Sequence, residues 1–315
     1  MTKFACGSCY KPSTDRGIWP VIAATKPQFF LFMGDTVYAD TEDMEVMRRK
    51  YGELTRQPGY AAFREEIPVL PIWDDHDYGR NDAGADYSQR EASQKVFQDV
   101  FEFPADHPAR ATPGAYYSHT AGPEGKRLQV ILLDTRYFRS ALHRPRIKGR
   151  LSYVPTTTPG ATMLGDDQWK WLEAELRKPA DLRFIVSSIQ IITADHRFEK
   201  WANIPAELQR LIDLLKSTGT NRAVLLSGDR HLAEFSRLSA KESGLSYDLV
   251  DFTSSGMTHA GAPIDTNRHR LGTVFSQINF GSIAIDWSNN LPVVTLSIHD
   301  FTGKPVQSQT VTFPK

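Results

Sequence analysis

Four short segments of this 315-residue chain concentrate side chains whose chemistry is that of metal ligands. In IWDDHDYGRND, Asp74, Asp75, His76, Asp77, Asn81 and Asp82 fall within nine residues, and only Arg80 offsets four carboxylates. Like charges at that density repel unless a cation sits among them, and oxygen donors suit a hard metal ion. The plainer alternative is an exposed acidic turn. MGDTVYAD sets Asp35 and Tyr38 three apart behind Gly34, whose freedom allows a sharp turn. Asp35 has two oxygens with which to bridge two cations, and a tyrosine phenolate suits a trivalent ion such as ferric iron. LLSGDRHLAEF repeats the plan with Asp229 and His231, and FACGSC ends on Cys9, a thiolate donor.

Mixed oxygen, nitrogen and sulfur donors around two or more metals point to one kind of reaction. They lower the pKa of a bound water, orient a phosphoryl group and stabilise charge on its oxygens during in-line displacement. A metal-bound hydroxide is then the expected nucleophile. His76 is a candidate proton donor to the leaving oxygen. Arg136 and Arg230 are candidates to grip non-bridging oxygens through their planar forks, and an ion pair with a neighbouring acid is the competing role for Arg136. Cys6 and Cys9 form C-x-x-C, but residues three apart on a strand face opposite ways. A redox pair is therefore not expected, and Cys6 reads as a core thiol.

These residues stand where apolar runs stop. Lys3 to Cys9, Phe29 to Asp35, Val69 to Asp75, Leu128 to Asp134, Phe184 to Gln190 and Ala223 to Asp229 read as buried strands. Ligands in α/β sheets collect beyond the carboxyl ends of the strands, so Cys9, Asp35, Asp75, Asp134, Gln190 and Asp229 are expected to face one site. Taken singly, each acid has another explanation as the cap of a following helix. Helical patterns lie between the strands, over Thr41 to Tyr51, Ser88 to Phe101, Asp167 to Leu176 and Ala206 to Lys216. From Tyr247 onward strands follow one another and alternate as an antiparallel meander does. The expectation is a single domain over 1–315, a sandwich of two sheets with the strands of 247–315 in the second.

Three segments, 83–87, 136–159 and 256–270, resist regular structure, and long loops in compact domains are commonly functional. RYFRSALHRPRIKGR (136–150) holds six Lys or Arg and no acid. It reads either as a solvated loop or as a local attractor for an anionic substrate, such as the second substituent of a diester. His259 and His269, in the third segment, read as surface residues.

Thirty-seven Lys plus Arg balance thirty-seven Asp plus Glu, so no global field indicates a nucleic-acid or anionic-membrane partner. No apolar run approaches a membrane span, and MTKFACGSCYKP lacks the pattern of a signal peptide. Two cysteines are too few for a disulfide scaffold.

FACGSC, FLFMGDTVYAD, IWDDHDYGRND, LLDTRYFRS, SSIQ, SGDRH and TSSG occur in that order from residue 4 to about 256. In this the chain resembles the alkaline phosphatase D (PhoD-like) family of the calcineurin-like metallophosphatases. The resemblance implies a four-layer αββα sandwich and a phosphodiesterase or phosphomonoesterase with iron and calcium, other divalent metals being alternatives. It implies Cys9, Asp35 and Tyr38 on iron, with Asp35 also reaching calcium. Asp229 and His231 complete the set together with Asp75 or Asn81. Gln190 stands where many metallophosphatases place a histidine ligand. Family members are typically exported whereas this sequence shows no leader, which leaves the compartment open, as it leaves the oligomeric state. The GMTHAGAPIDTNRHR loop, which maps onto no general family motif, is expected to bear on substrate choice. The competing functions are a phospholipase- or nucleotide-type phosphodiesterase on the same fold, and a binding protein that keeps the fold without catalysis.

Overall fold

The computed structural model describes residues 1–261 and 265–314. In chain order its strands are β1 (Thr2–Gly7), β2 (Phe30–Met33), β3 (Val69–Ile72), β4 (Tyr117–Ala121), β5 (Leu128–Leu132), β6 (Arg146–Ile147), β7 (Arg150–Leu151), β8 (Leu182–Val186), β9 (Ala223–Ser227), β10 (Ala233–Leu238), β11 (Leu249–Ser254), β12 (Arg270–Phe275), β13 (Asn279–Asp286), β14 (Val293–Asp300) and β15 (Pro305–Val311). The helices are α1 (Ile18–Ala24), α2 (Met44–Thr55), α3 (Pro58–Glu66), α4 (Asp75–Tyr78), α5 (Arg90–Val100), α6 (Gly165–Leu176), α7 (Pro205–Ser217) and α8 (Ala240–Ser243).

Two mixed sheets carry the fold. The first runs β15-β14-β13-β1-β2-β3 and the second β12-β10-β11-β9-β8-β5-β4. In each, strands that are largely buried pair in parallel: β1, β2 and β3 in the first, and β5, β8, β9 and β11 in the second. Such strands need cover on both faces, and helices provide the outer one. β14, by contrast, alternates buried and half-buried positions, as a strand with one wet face does. Between the sheets Phe4 of β1 meets Phe184 of β8 edge to face, with ring centroids 5.0 Å apart. Gly281 is held against Cys6 and Phe252, where a Cβ would come within 2.6 Å of the Cys6 sulfur. Cys6 is thus a core thiol and, like Cys9, is free.

The strands of 247–315 are divided between the sheets, in place of the shared membership expected. β11 and β12 belong to the second, whereas the meander β13-β14-β15 extends the first by pairing β13 antiparallel to β1. Alternation marks which strands pair as hairpins, but not which sheet receives them. The helix expected from Thr41 begins at Met44, because the Asp43 carboxylate accepts hydrogen bonds from the Glu45 and Val46 N–H groups and so caps it. Within 136–159, β6 and β7 form a small hairpin through Lys148 and Gly149, at φ +48° and +77°. Two successive positive φ values make the tight turn that suits a two-residue hairpin.

Parallel pairing brings the carboxyl ends of β1, β2, β3, β8, β9 and β11 to one edge where the two sheets meet. Gly228 accepts this crowding: a Cβ there would lie within 3 Å of the Ser8 hydroxyl and of the Met33 and Ser188 carbonyls. Gly34 does the same after β2, at φ +90° and against the Asp74 Cβ. No described helix is long and apolar enough to cross a membrane.

Candidate metal and active site

Cys9, Asp35, Asp229 and His231 all take positive φ, at +58°, +50°, +67° and +53°. Residues other than glycine avoid that region unless the surroundings impose it, and such positions cluster at functional sites. Each follows a strand end, and the left-handed turn aims its side chain across the junction between the sheets. The Cys9 thiol donates to Asp35 Oδ2 at 3.3 Å and lies 3.0 Å from the Ser255 hydroxyl. The Tyr38 hydroxyl donates to the same Asp35 oxygen at 3.1 Å and lies 3.2 Å from His231 Nε2. Ser255 also accepts from the His231 N–H at 2.9 Å, tying β11 to the β9 loop.

Donor atoms of Cys9, Asp35 and His231 lie within 4.8 Å of one another, as do those of Asp35, Asp74, Asp75 and Asp229. Asp35 is common to both groups. Asp35 Oδ1 and Asp75 Oδ1 are buried without a hydrogen-bond donor. Burial pushes the Asp35 carboxyl well above its ordinary range, and the nearby Asp75, Asp74 and Asp77 charges add to this. Burial also raises the Cys9 thiol, with Asp35 and Asp229 adding to it, and lowers His231 to about 4. A cation among these groups would reverse the upward shifts of Asp35 and Cys9, and would act in the same direction as burial on His231, favouring the neutral imidazole that binds metal. Undonated carboxylate oxygens beside a thiol, a phenol and an imidazole fit metal ions in donor type.

The four acids of the IWDDHDYGRND segment have separate roles. Asp77 accepts from the Asp74, Asp35 and Thr36 N–H groups at 2.6, 3.3 and 2.8 Å and so holds the two acidic loops together. Asp74 accepts from Arg136 Nε at 2.6 Å and from the Ser188 hydroxyl at 2.7 Å. Asp75 faces the cluster. Burial opposes its charge, but Arg136 and His76 outweigh that and hold it down to about 2. Asp82 sits at the cleft mouth under Tyr153 and Arg144. Of the two alternatives for the last ligand, Asp75 is in the cluster, while Asn81 lies exposed on the cleft wall.

His76 donor geometry is set by Asp40, whose two oxygens lie 2.8 Å from Nδ1, and its ring lies 4.2 Å from that of Tyr38. Burial lowers its pKa, but Asp75, Asp35 and Asp40 raise it further, to about 11. With Nδ1 engaged, Nε2 is the nitrogen left to serve the cleft, which His76 lines together with Asp75, Asp229, Arg230 and His231.

Three expected members stand elsewhere. Arg136 is fully buried, with its guanidinium on Asp74 and on Glu199, 2.5 Å away. It does not face the cleft; it supports the acidic loop. Asp134 accepts from the Ala115, Arg136 and Tyr137 N–H groups and shapes its own loop. Gln190 donates to Glu234 and Thr253, both at 2.8 Å, away from the cluster. Arg230, in contrast, lies on the cleft wall with its guanidinium 4.0 Å from the Phe198 ring centroid and its Nε without a partner.

The sequence reading missed Glu199, which with Asp75 and Asp82 forms a further acidic group at the cleft. It also placed His259 on the surface, whereas its ring packs 4.3 Å from His231 and 4.9 Å from Tyr38. Glu199 lies in an irregular segment thirteen residues beyond the end of β8, and His259 follows β11 by five residues inside a loop that reads as irregular, so neither stands directly at the end of an apolar run.

Residues 2–282 match the family model described as PhoD-like phosphatase. The chain belongs to this family. It is 24% identical over 254 residues to alkaline phosphatase D of Bacillus subtilis (strain 168), a match covering 69% of this chain and 41% of that protein. The match thus spans less than half the length of that relative. The solved structure of PhoD superposes with a TM-score of 0.76 at 17% identity, over 99% of this chain and 68% of that one. A dimetal phosphatase from Danio rerio shares the fold at a TM-score of 0.58 and 12% identity, over 99% of both chains.

Proposed function

We propose that this chain is a metal-dependent hydrolase of phosphoric esters, acting on diesters or monoesters. The observation that carries the reading is the sharing of Asp35 between two donor groups of different chemistry. On one side stand Cys9, Tyr38 and His231, donors that favour iron. On the other stand Asp75 and Asp229, oxygen donors that favour calcium or another hard divalent ion. Metals held there would lower the pKa of a water and offset charge on the phosphoryl oxygens.

The chain's own residues would do the rest. Arg230, stacked on Phe198 and with Nε unpaired, is placed to bind a non-bridging oxygen. His76, oriented by Asp40, is placed to give a proton to the leaving oxygen through Nε2. Arg144, over the Tyr153 ring at the cleft mouth, supports room for the second substituent of a diester. Asp74, Asp77 and Arg136 hold the loops in register.

The test is Asp35→Asn. Turnover of a chromogenic phosphodiester should fall by at least ~100-fold, since loss of partners one shell further out already costs 10–100-fold. Bound metal should fall with it, while the metal-free variant should melt above the metal-free parent because one charge has left a crowded carboxylate cluster. An unchanged rate would refute the bridging role.

A further inference from the structure

The hairpin β6–β7 carries the observation that the site does not use. Ile147 and Leu151 are 46% and 41% exposed and are two of only four large apolar side chains that stand so open among the described residues. Arg146, Lys148 and Arg150 alternate with them, and none of the three forms an ion pair among the described residues. Pairing sets Arg146 opposite Leu151 and Ile147 opposite Arg150, so each face of the ribbon presents one cation and one aliphatic side chain. Lys148 occupies the turn. The ribbon is braced at its base, where the Ser152 N–H donates to the Pro145 carbonyl and the Val154 N–H to the His143 carbonyl.

We propose that this hairpin is a docking element for an anionic lipid surface. Charge complementarity selects an anionic partner, for the tip bears cations with no acid beside them. The two aliphatic side chains select a bilayer over a soluble polyanion, because only the bilayer offers apolar depth to both. Lysine and arginine keep their charge at headgroup level while their stems run along that apolar region. The chain's zero formal net charge does not oppose this, since attraction at a surface falls off within a Debye length and is set by the local group. The hairpin's ends lead into the cleft: Arg144 and Tyr153 flank it and both bind Asp82. Docking at the tip would therefore bring the cleft mouth to the surface. The proposal does not depend on the hydrolase reading, because binding is read without turnover.

The experiment is flotation of the whole protein with vesicles of phosphatidylcholine alone or mixed with phosphatidylserine, at low and high salt. The parent should float with the mixed vesicles only, and less at high salt. R146E/K148E should weaken binding by about 25-fold or more, at about fivefold per cation near such a surface. I147S/L151S should weaken it about tenfold at unchanged charge, with an unchanged circular dichroism spectrum and an unchanged rate on a soluble chromogenic diester. The proposal is overturned if the parent fails to float or if either variant floats like the parent. Retention on a soluble polyanion that is equal in the parent and I147S/L151S, with no flotation, would assign the tip to that polyanion. Self-association lost in I147S/L151S, with no flotation, would assign it to a second copy of the chain.

Discussion

Asp74 and Asp75 are neighbours beside the same cluster, but Asp74 accepts from Arg136 Nε and the Ser188 hydroxyl, whereas Asp75 keeps Oδ1 without a hydrogen-bond donor. The apolar run that stops on these acids located the loop, because such a run describes a chain leaving a sheet. The pattern cannot say which acid turns inward. That choice depends on Arg136, sixty-two residues away, whose own role was equally hidden: an arginine after a strand reads alike whether it meets substrate or a buried carboxylate. The two arginines are separable by experiment. Arg136→Met leaves Asp74 and Glu199 buried without their cation and should cost about 3–5 kcal/mol of stability in urea unfolding. Arg230→Met should leave the unfolding midpoint close to that of the parent and lower the rate constant for ester hydrolysis. If Arg136→Met unfolded like the parent while Arg230→Met unfolded much earlier, the assignments would be reversed.

The elements that position the site are held by polar contacts that the hydrophobic pattern does not display. Helix α6 has no side-chain cap of its own. Instead the Glu207 carboxylate, from the first turn of α7, accepts from the Met163 N–H at 2.6 Å, the Thr162 hydroxyl at 2.7 Å and the Trp169 indole at 2.8 Å. One buried acid thus joins α7 to α6 and to the turn at 162–164 that leads into it. Glu207→Ala should destabilise the protein by roughly 2–3 kcal/mol, as expected when donors are left buried without a charged acceptor. Glu207→Gln, which keeps an acceptor oxygen, should recover part of that loss, and equal midpoints for all three proteins would show the junction to be idle. The buried parallel strands, the C-terminal meander and helices α2, α5, α6 and α7 were legible because their patterns are local, whereas β4, β10, β12, α1 and α3 were not read. The hairpin at 146–151 was not legible, since it buries neither face and so leaves no hydrophobic alternation to read. Sheet membership of β13 to β15 was not legible either, because it is decided by pairing with β1, at the other end of the chain.

At the scale of the molecule, two sheets place their strand ends against one another, and donors from β1, β2, β3 and β9 meet at that edge without a charged partner for every carboxylate. The arrangement explains why residues from 9 to 231 share one site, and why strained backbone persists at four of them. It also makes a demand, for a buried group of carboxylates is poorly stable without cations, and bound metal should stabilise the folded chain by mass action. Metal removal should accordingly lower the melting temperature. The direct test is hydrolysis of a chromogenic phosphodiester by the purified protein before and after chelation, with iron and calcium added back singly and together. With Asp35 in the proposed bridging role, chelation should abolish activity and the two metals together should restore it more fully than either alone. Activity indifferent to chelation, or no turnover in protein shown to be metal-replete, would contradict it.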